Sequence, residues 1–166
     1  MPVHRWWWIG LLLLLGTGCG ERLEPYESEE GRFHVLLPGV PNDAPDPDLP
    51  RGISRINLVQ RSGSYTIAWE DLPRQEGTVT EQLDRACEGA VKRLKGTEEE
   101  RKPIQLGGEH PGREMILTWP QNRGVTRVRL YLVGNRLYTV AVSGAKWWIE
   151  SATPQRVLDS FRLEEK

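Results

Sequence analysis

The sequence predicts an α+β domain: a mostly antiparallel sheet of about six or seven strands, with one long helix and one short C-terminal helix packed on it. Three observations carry this. Seven short runs rich in β-branched and aromatic residues are spaced along residues 32–143 and separated by turn residues. Only two stretches have apolar residues at helical spacing. The links between the strand candidates are short, which favours hairpins over parallel crossovers.

The first strand is expected at Arg32–Leu37 and ends at Pro38, which has no backbone donor for a ladder. Pro38, Pro41, Pro45, Pro47 and Pro50 mark an extended loop that ends near Gly52. Ile53–Gln60 and Ser64–Glu70 flank Arg61-Ser62-Gly63 as a hairpin, with Tyr65, Ile67 and Trp69 on one face. Thr78 and Glu81 have the spacing of a capping box, in which each side chain satisfies the other's free backbone donor. Leu83, Ala86, Cys87, Ala90, Val91 and Leu94 follow on one helical face, and Lys95-Gly96 is read as the stop. A charged loop is expected over Gly96–Lys102, then strands at Pro103–Gly107, Arg113–Trp119, Val125–Val133 and Leu137–Ser143. Gly134-Asn135 suits a two-residue hairpin turn. Thr153-Pro154 opens a short helix whose stripe is Val157, Leu158 and Phe161.

Residues 1–18 have the order of a bacterial secretory signal: Arg5, an apolar run over Trp6–Leu15, then Gly16-Thr17-Gly18 before Cys19. The run is half of the about 20 residues that a membrane-spanning helix needs. Small residues before a cysteine resemble the bacterial lipobox, with Gly16 where leucine is preferred. The resemblance implies cleavage before Cys19 and acylation of that cysteine. Gly20 replaces the aspartate that favours inner-membrane retention, so the outer membrane is weakly preferred; without acylation the protein would be secreted. Residues 19–31, acidic and poor in large apolar side chains, are read as a flexible tether, leaving 32–166 as one globular domain.

The chain has 166 residues with 22 basic and 23 acidic side chains. Near-balanced charge offers no basic field for nucleic acid. With Cys19 lipidated, Cys87 is left alone, so no disulfide framework is expected and stability must come from packing.

Phe33, Val35 and Pro38 at the start of the domain and Ser160, Phe161 and Leu163 at its close resemble the PsbP-type α/β/α sandwich. That superfamily includes extrinsic photosystem II subunits, a nuclear-transport cofactor and many small envelope lipoproteins. The segments His110-Pro111-Gly112-Arg113-Glu114, Arg129–Val133 and Arg136–Tyr138 are similar to secreted proteins of planctomycete-type bacteria. The resemblance implies a docking module without catalysis, and it assigns no residue a role.

His110 sits between Glu109 and Glu114 in a glycine-rich segment, a composition compatible with proton transfer but more consistent with a solvated turn. No spacing of His, Cys and carboxylates suits a metal, no nucleophile elbow or phosphate loop occurs, and no cofactor is implied. Cys87 belongs to the apolar helix face. Two surface candidates remain. Arg127 and Arg129, with Tyr131 on the same strand face and Arg113, Arg123 and Arg136 nearby, would suit a carboxylate-rich partner or a polysaccharide anion, or else form a solvent-facing strand whose arginine stems cover apolar surface. Trp147 and Trp148 are adjacent, so a regular strand could bury only one of them, and the other would be an anchor for a partner or lie over a loop.

The sequence therefore points to a membrane-anchored envelope lipoprotein that binds or scaffolds another envelope protein without catalysis. A small-ligand carrier with its pocket between sheet and helix is the alternative, and an enzyme using the His110 loop a more distant one. The lipobox reading predicts that Cys19→Ser moves the protein from the membrane fraction to the soluble fraction. Fractionation, with mass measurement of the N-terminal peptide, checks this.

Overall fold

The computed structural model describes residues 21–44, 46–73, 77–120 and 124–164. The expected signal peptide, Cys19 and Arg123 lie outside them. The elements, in chain order, are β1 (Glu24–Ser28), β2 (Phe33–Leu37), β3 (Ile53–Val59), β4 (Gly63–Asp71), α1 (Val79–Leu94), β5 (Thr97–Leu106), β6 (His110–Thr118), β7 (Val125–Val133), β8 (Arg136–Gly144), α2 (Lys146–Ile149), α3 (Ala152–Ser160) and β9 (Arg162–Leu163). Six strands form one sheet in the order β3-β4-β8-β7-β6-β5, and three form a second in the order β1-β2-β9. Every pairing is antiparallel. The predicted α+β class holds, with two sheets in place of the single one expected.

Alternation along the central strands sends side chains to two cores. Leu83, Cys87 and Ala90 of α1 pack on Met115, Leu117, Val128, Leu130, Leu132, Leu137 and Ala141. On the other face, Tyr65, Ile67, Trp69, Tyr131, Tyr138, Val140 and Val142 meet the small sheet, α2 and α3. Covered on both sides, β8 reads as a near-continuous apolar run, as a strand without a solvent face does, whereas β7 keeps Arg127 and Arg129 among its apolar residues.

Both capping-box bonds of α1 form: Thr78 N–H donates to Glu81 Oε2 at 2.7 Å, and Glu81 N–H donates to Thr78 Oγ1 at 3.3 Å. The helix ends with Lys95, not Gly96, in the left-handed conformation (φ 51°). Gly96 serves close approach instead, since a Cβ there would lie 3.1 Å from Leu117 Cβ and 3.2 Å from the Thr118 carbonyl oxygen. Leu94, expected in the core, is 36% exposed because α1 runs past the covered part of the sheet.

Three expectations are corrected, and one strand is added. The tether over residues 19–31 gives way to β1, whose backbone pairs with β2 from Glu24↔Leu37 to Ser28↔Phe33. Glu24 and Glu27 are exposed and the one buried residue is Ser28, so its apolar content is too small to announce a strand. The loop expected over Gly96–Lys102 is the first half of β5. Its charges suit an edge strand, where they discourage pairing with another chain. A two-residue strand, β9, closes the small sheet against Phe33 and His34. Finally, α3 starts at Ala152 after Ser151, two residues earlier than the Thr153-Pro154 signal; Pro154 still falls in the first turn, where backbone donors have no helical acceptor.

Gly63 and Gly144 face each other across β4 and β8. A Cβ on Gly63 would lie 2.3 Å from Trp148 Cζ3, and one on Gly144 2.7 Å from Trp148 Cε3. The indole lies directly on bare backbone.

Thr78→Ala removes one capping bond and is expected to lower stability by about 1 kcal/mol. Phe161→Ala, which empties the centre of the larger core, is expected to cost about 3–5 kcal/mol. Urea unfolding of both variants checks these values.

Candidate functional site

The residues proposed from sequence as a docking face separate in space. Within the single turn of α2, neighbouring side chains diverge by about 100°. Trp148 is therefore buried, edge-on to Tyr65 with ring centroids 5.3 Å apart, while Trp147 is 70% exposed. Trp148 is a core residue and is corrected as a partner contact. Tyr131 is corrected likewise: its ring stacks on Phe161 at 5.9 Å with an interplanar angle of 3°.

Arg129 is nearly buried and committed to internal pairs. Its Nε donates to Glu114 Oε2 at 2.7 Å and its guanidinium reaches Asp159 Oδ1 at 2.8 Å. Glu114 also pairs with Lys102 Nζ at 2.8 Å. Glu114 was not singled out from sequence as a structural group; as position 114 of a strand, it faces the layer occupied by α3 and is covered. Burial alone would raise its pKa, but the hydrogen bonds from Lys102 and Arg129 outweigh burial and hold the carboxyl below its ordinary value. Arg113 turns to the opposite face, donating to Asp84 Oδ1 of α1 at 3.0 Å. Arg136 makes a two-pronged pair with Asp71, at 2.7 and 2.8 Å. The arginines thus serve separate structural pairs.

Arg127 differs. Its Nε is buried without a hydrogen-bond partner among the described residues. It lines a cavity of about 680 Å³ with Glu99, Glu100, Lys146 and Glu150. Of the five predicted contact residues, Trp148 and Tyr131 are buried, Arg127 and Arg129 are half-buried, and Trp147 alone is exposed.

The chemical candidates are equally constrained. His110 opens β6 after the Gly107–Glu109 turn, and the Glu114 carboxylate is turned away to Lys102 and Arg129. Cys87 is fully buried, and burial pushes its thiol up to about 11. No group of three or more His, Cys, Asp or Glu among the described residues is placed to hold a metal.

A further candidate surface is a groove in the region between sheet and helix. Because α1 packs on β6 and β7, the neighbouring face of β3, β4 and β8 is left partly open. A cavity of about 300 Å³ has Thr66, Ala68, Thr139, Ala141 and Ser143 as its floor, with Leu49 and Pro50 on one wall and Ala90 and Leu94 on the other. A second cavity of about 660 Å³ continues along α1 past Ala86 and Gly89, and shares Glu70, Arg93 and Leu137 with the first. Arg85, Lys92 and Arg93 bring positive charge to the rim, with Glu70 3.8 Å from Arg93. Small side chains on both helix and strand create this channel; single-residue patterns along either element do not reveal it.

Cyanobacterial PsbP from Synechocystis sp. PCC 6803 has a similar structure, with a TM-score of 0.63 and 16% identity over 90% of this chain and 98% of that one. The chain has the PsbP-like fold. A protein of unknown function from Pseudomonas aeruginosa matches with a TM-score of 0.47 and 15% identity, over 80% of this chain and 90% of that one. No protein-family model and no curated protein sequence matches the chain.

Glu114→Gln leaves Arg129 with only the exposed Asp159, and is expected to cost about 3 kcal/mol. Since the folded-state pKa of Glu114 is lowered, its contribution is complete above the ordinary glutamate range and is lost as pH falls through the lowered value. The variant should therefore lose less stability on acidification than the wild type, as measured by urea unfolding across pH. Cys87 should resist alkylation in the native protein and react only on unfolding.

Proposed function

We propose that this chain is a non-catalytic binding module, anchored in the cell envelope through acylated Cys19, that holds an extended acidic segment of a partner protein beside α1. The observation that carries the binding role is the open strip of small side chains between α1 and strands β4 and β8, rimmed by Lys92 and Arg93. Its length favours an extended segment, and its rim favours carboxylates. The lipobox-like run before Cys19 supports the anchor, and the resemblance to small envelope lipoproteins, including those of planctomycete-type bacteria, agrees with it. The absence of catalysis is supported by the way the candidate groups are used: Glu114, Arg129 and Cys87 are internal. Among the described residues no helix is long and apolar enough to cross a membrane.

A second reading is a small-ligand carrier. It is favoured by the mostly apolar lining of the 300 Å³ cavity, a volume at the lower end of the range for ligand sites.

Photoreactive residues placed at Ala68 and Lys92, with one at Asn135 as a control, test the binding role in cells. An envelope protein captured from positions 68 and 92 but not 135, and lost on Lys92→Glu with Arg93→Glu, is the expected result. Equal capture from all three positions, or none, overturns it. Thermal stabilisation by a low-mass extract fraction would favour the carrier instead. His110→Ala is expected to leave binding unchanged.

A further inference from the structure

We propose that one end of the domain, bearing Trp147, Trp119, Val40 and Val59, rests against the headgroup layer of the membrane. This inference rests on the lipid anchoring of Cys19. The strand register defines the end. Val59 pairs with Ser64, Gly63 with Gly144, Val125 with Gly144, Thr118 with Val125 and Thr97 with Thr118, so these strand termini form one rim. Trp119 follows β6 there and Trp147 follows β8. Val40 lies beyond Pro38, whose carbonyl accepts from Gln60 Nε2 at 3.3 Å at the same rim. Exposure is 87% for Val40, 72% for Val59, 70% for Trp147 and 38% for Trp119. Leu94, at the end of α1, adds to the rim. Of the large apolar side chains exposed among the described residues, Val79 alone lies at the opposite end, where α1 begins.

The position at which the chain joins the domain selects the occupant. Glu24 pairs with Leu37, so β1 starts at this rim and runs away from it. Leu23 already packs against the core, and Glu21 is within electrostatic range of the Tyr65 hydroxyl beside Trp148. Only four peptide steps lead from Cys19 to Leu23. Fully extended, they span about 14 Å. Nine-residue strands such as β7 make the sheet about 30 Å long, so an anchored Cys19 holds this rim, and not the other, near the bilayer. The chemistry agrees. Tryptophan settles at the boundary between hydrocarbon and water, where the ring is half-buried and its N–H stays wet. Arg61, Lys95 and Lys146, all exposed around the rim, would meet lipid phosphates, with the exposed Glu99, Glu100 and Glu150 among them.

The test uses the processed full chain in vesicles of phosphatidylethanolamine and phosphatidylglycerol. Trp147→Cys and, at the far end, Asn135→Cys each carry a polarity-sensitive fluorophore; native Cys87 is buried and Cys19 acylated, so the introduced thiol is the reactive one. The expected result is a blue-shifted emission at position 147, quenched several-fold more by brominated lipid than at position 135. Equal quenching at both positions in protein that floats with the vesicles overturns the proposal and leaves the anchor standing. A blue shift at position 147 without vesicles also overturns it, in favour of a second copy of the chain on this rim. If wild type and Cys19→Ser are equally unable to float with vesicles, the anchoring and this proposal fall together.

Discussion

The aromatic cluster centred on Phe161 is the joint on which the second layer of this fold depends. The ring lies 5.3 Å from Phe33 of β2, 5.6 Å from Tyr138 of β8 and 5.9 Å from Tyr131 of β7. Phe33 extends the cluster to Trp69 of β4 at 5.4 Å. A ribbon as small as β1-β2-β9 has little stability of its own. Here it is held by rings from four strands of two sheets and by the Ser160 hydroxyl, which accepts from the Leu36 N–H at 2.9 Å. The layer is assembled from the two ends of the described chain, so it cannot close until residues far apart in sequence have met.

Those long-range requirements mark the boundary of what the sequence makes legible. The long helix is plain because its cap, its apolar stripe and its stop are local. The β7–β8 hairpin is plain for the same reason, through Gly134-Asn135 and the alternation on either side. β1 is concealed because Glu24-Pro25-Tyr26-Glu27-Ser28 contributes backbone pairing and little apolar area. The charged half of β5 is concealed because an edge strand is free to be polar. The arginine face of β7 is the most instructive case. Arg127, Arg129 and Tyr131 alternate with Val128, Leu130 and Leu132 as a half-exposed strand would, yet Asp159 arrives from α3 and Glu114 from β6 to cover it. Polar side chains that will be buried in pairs look, one residue at a time, like solvent-facing ones. The open groove beside α1 was legible only as a region between sheet and helix, since it depends on where α1 stops covering β4 and β8.

The surfaces left over divide the molecule by chemistry. Charged pairs occupy the interior of the α3 side, a basic-rimmed channel follows α1, and apolar side chains gather where the chain enters the sheet region. An α/β/α layering makes this division natural. Each face of the main sheet is covered by a different kind of layer, and the layers differ in length, leaving a strip uncovered on one side and a rim at one end. The PsbP-like arrangement therefore leaves an open strip and an apolar rim at the surface, apart from the two cores.

The bare backbone under Trp148 has a consequence for how this sequence can change over time. Gly63, Gly144 and Trp148 form a three-residue unit in which any one substitution is opposed by the other two: a methyl group on either glycine collides with the indole, and a smaller ring leaves a void over two glycines. Drift at these positions should be concerted. Descendants would keep all three residues, or replace the indole and fill both glycine sites together, and chains with only one of those changes should be rare among relatives.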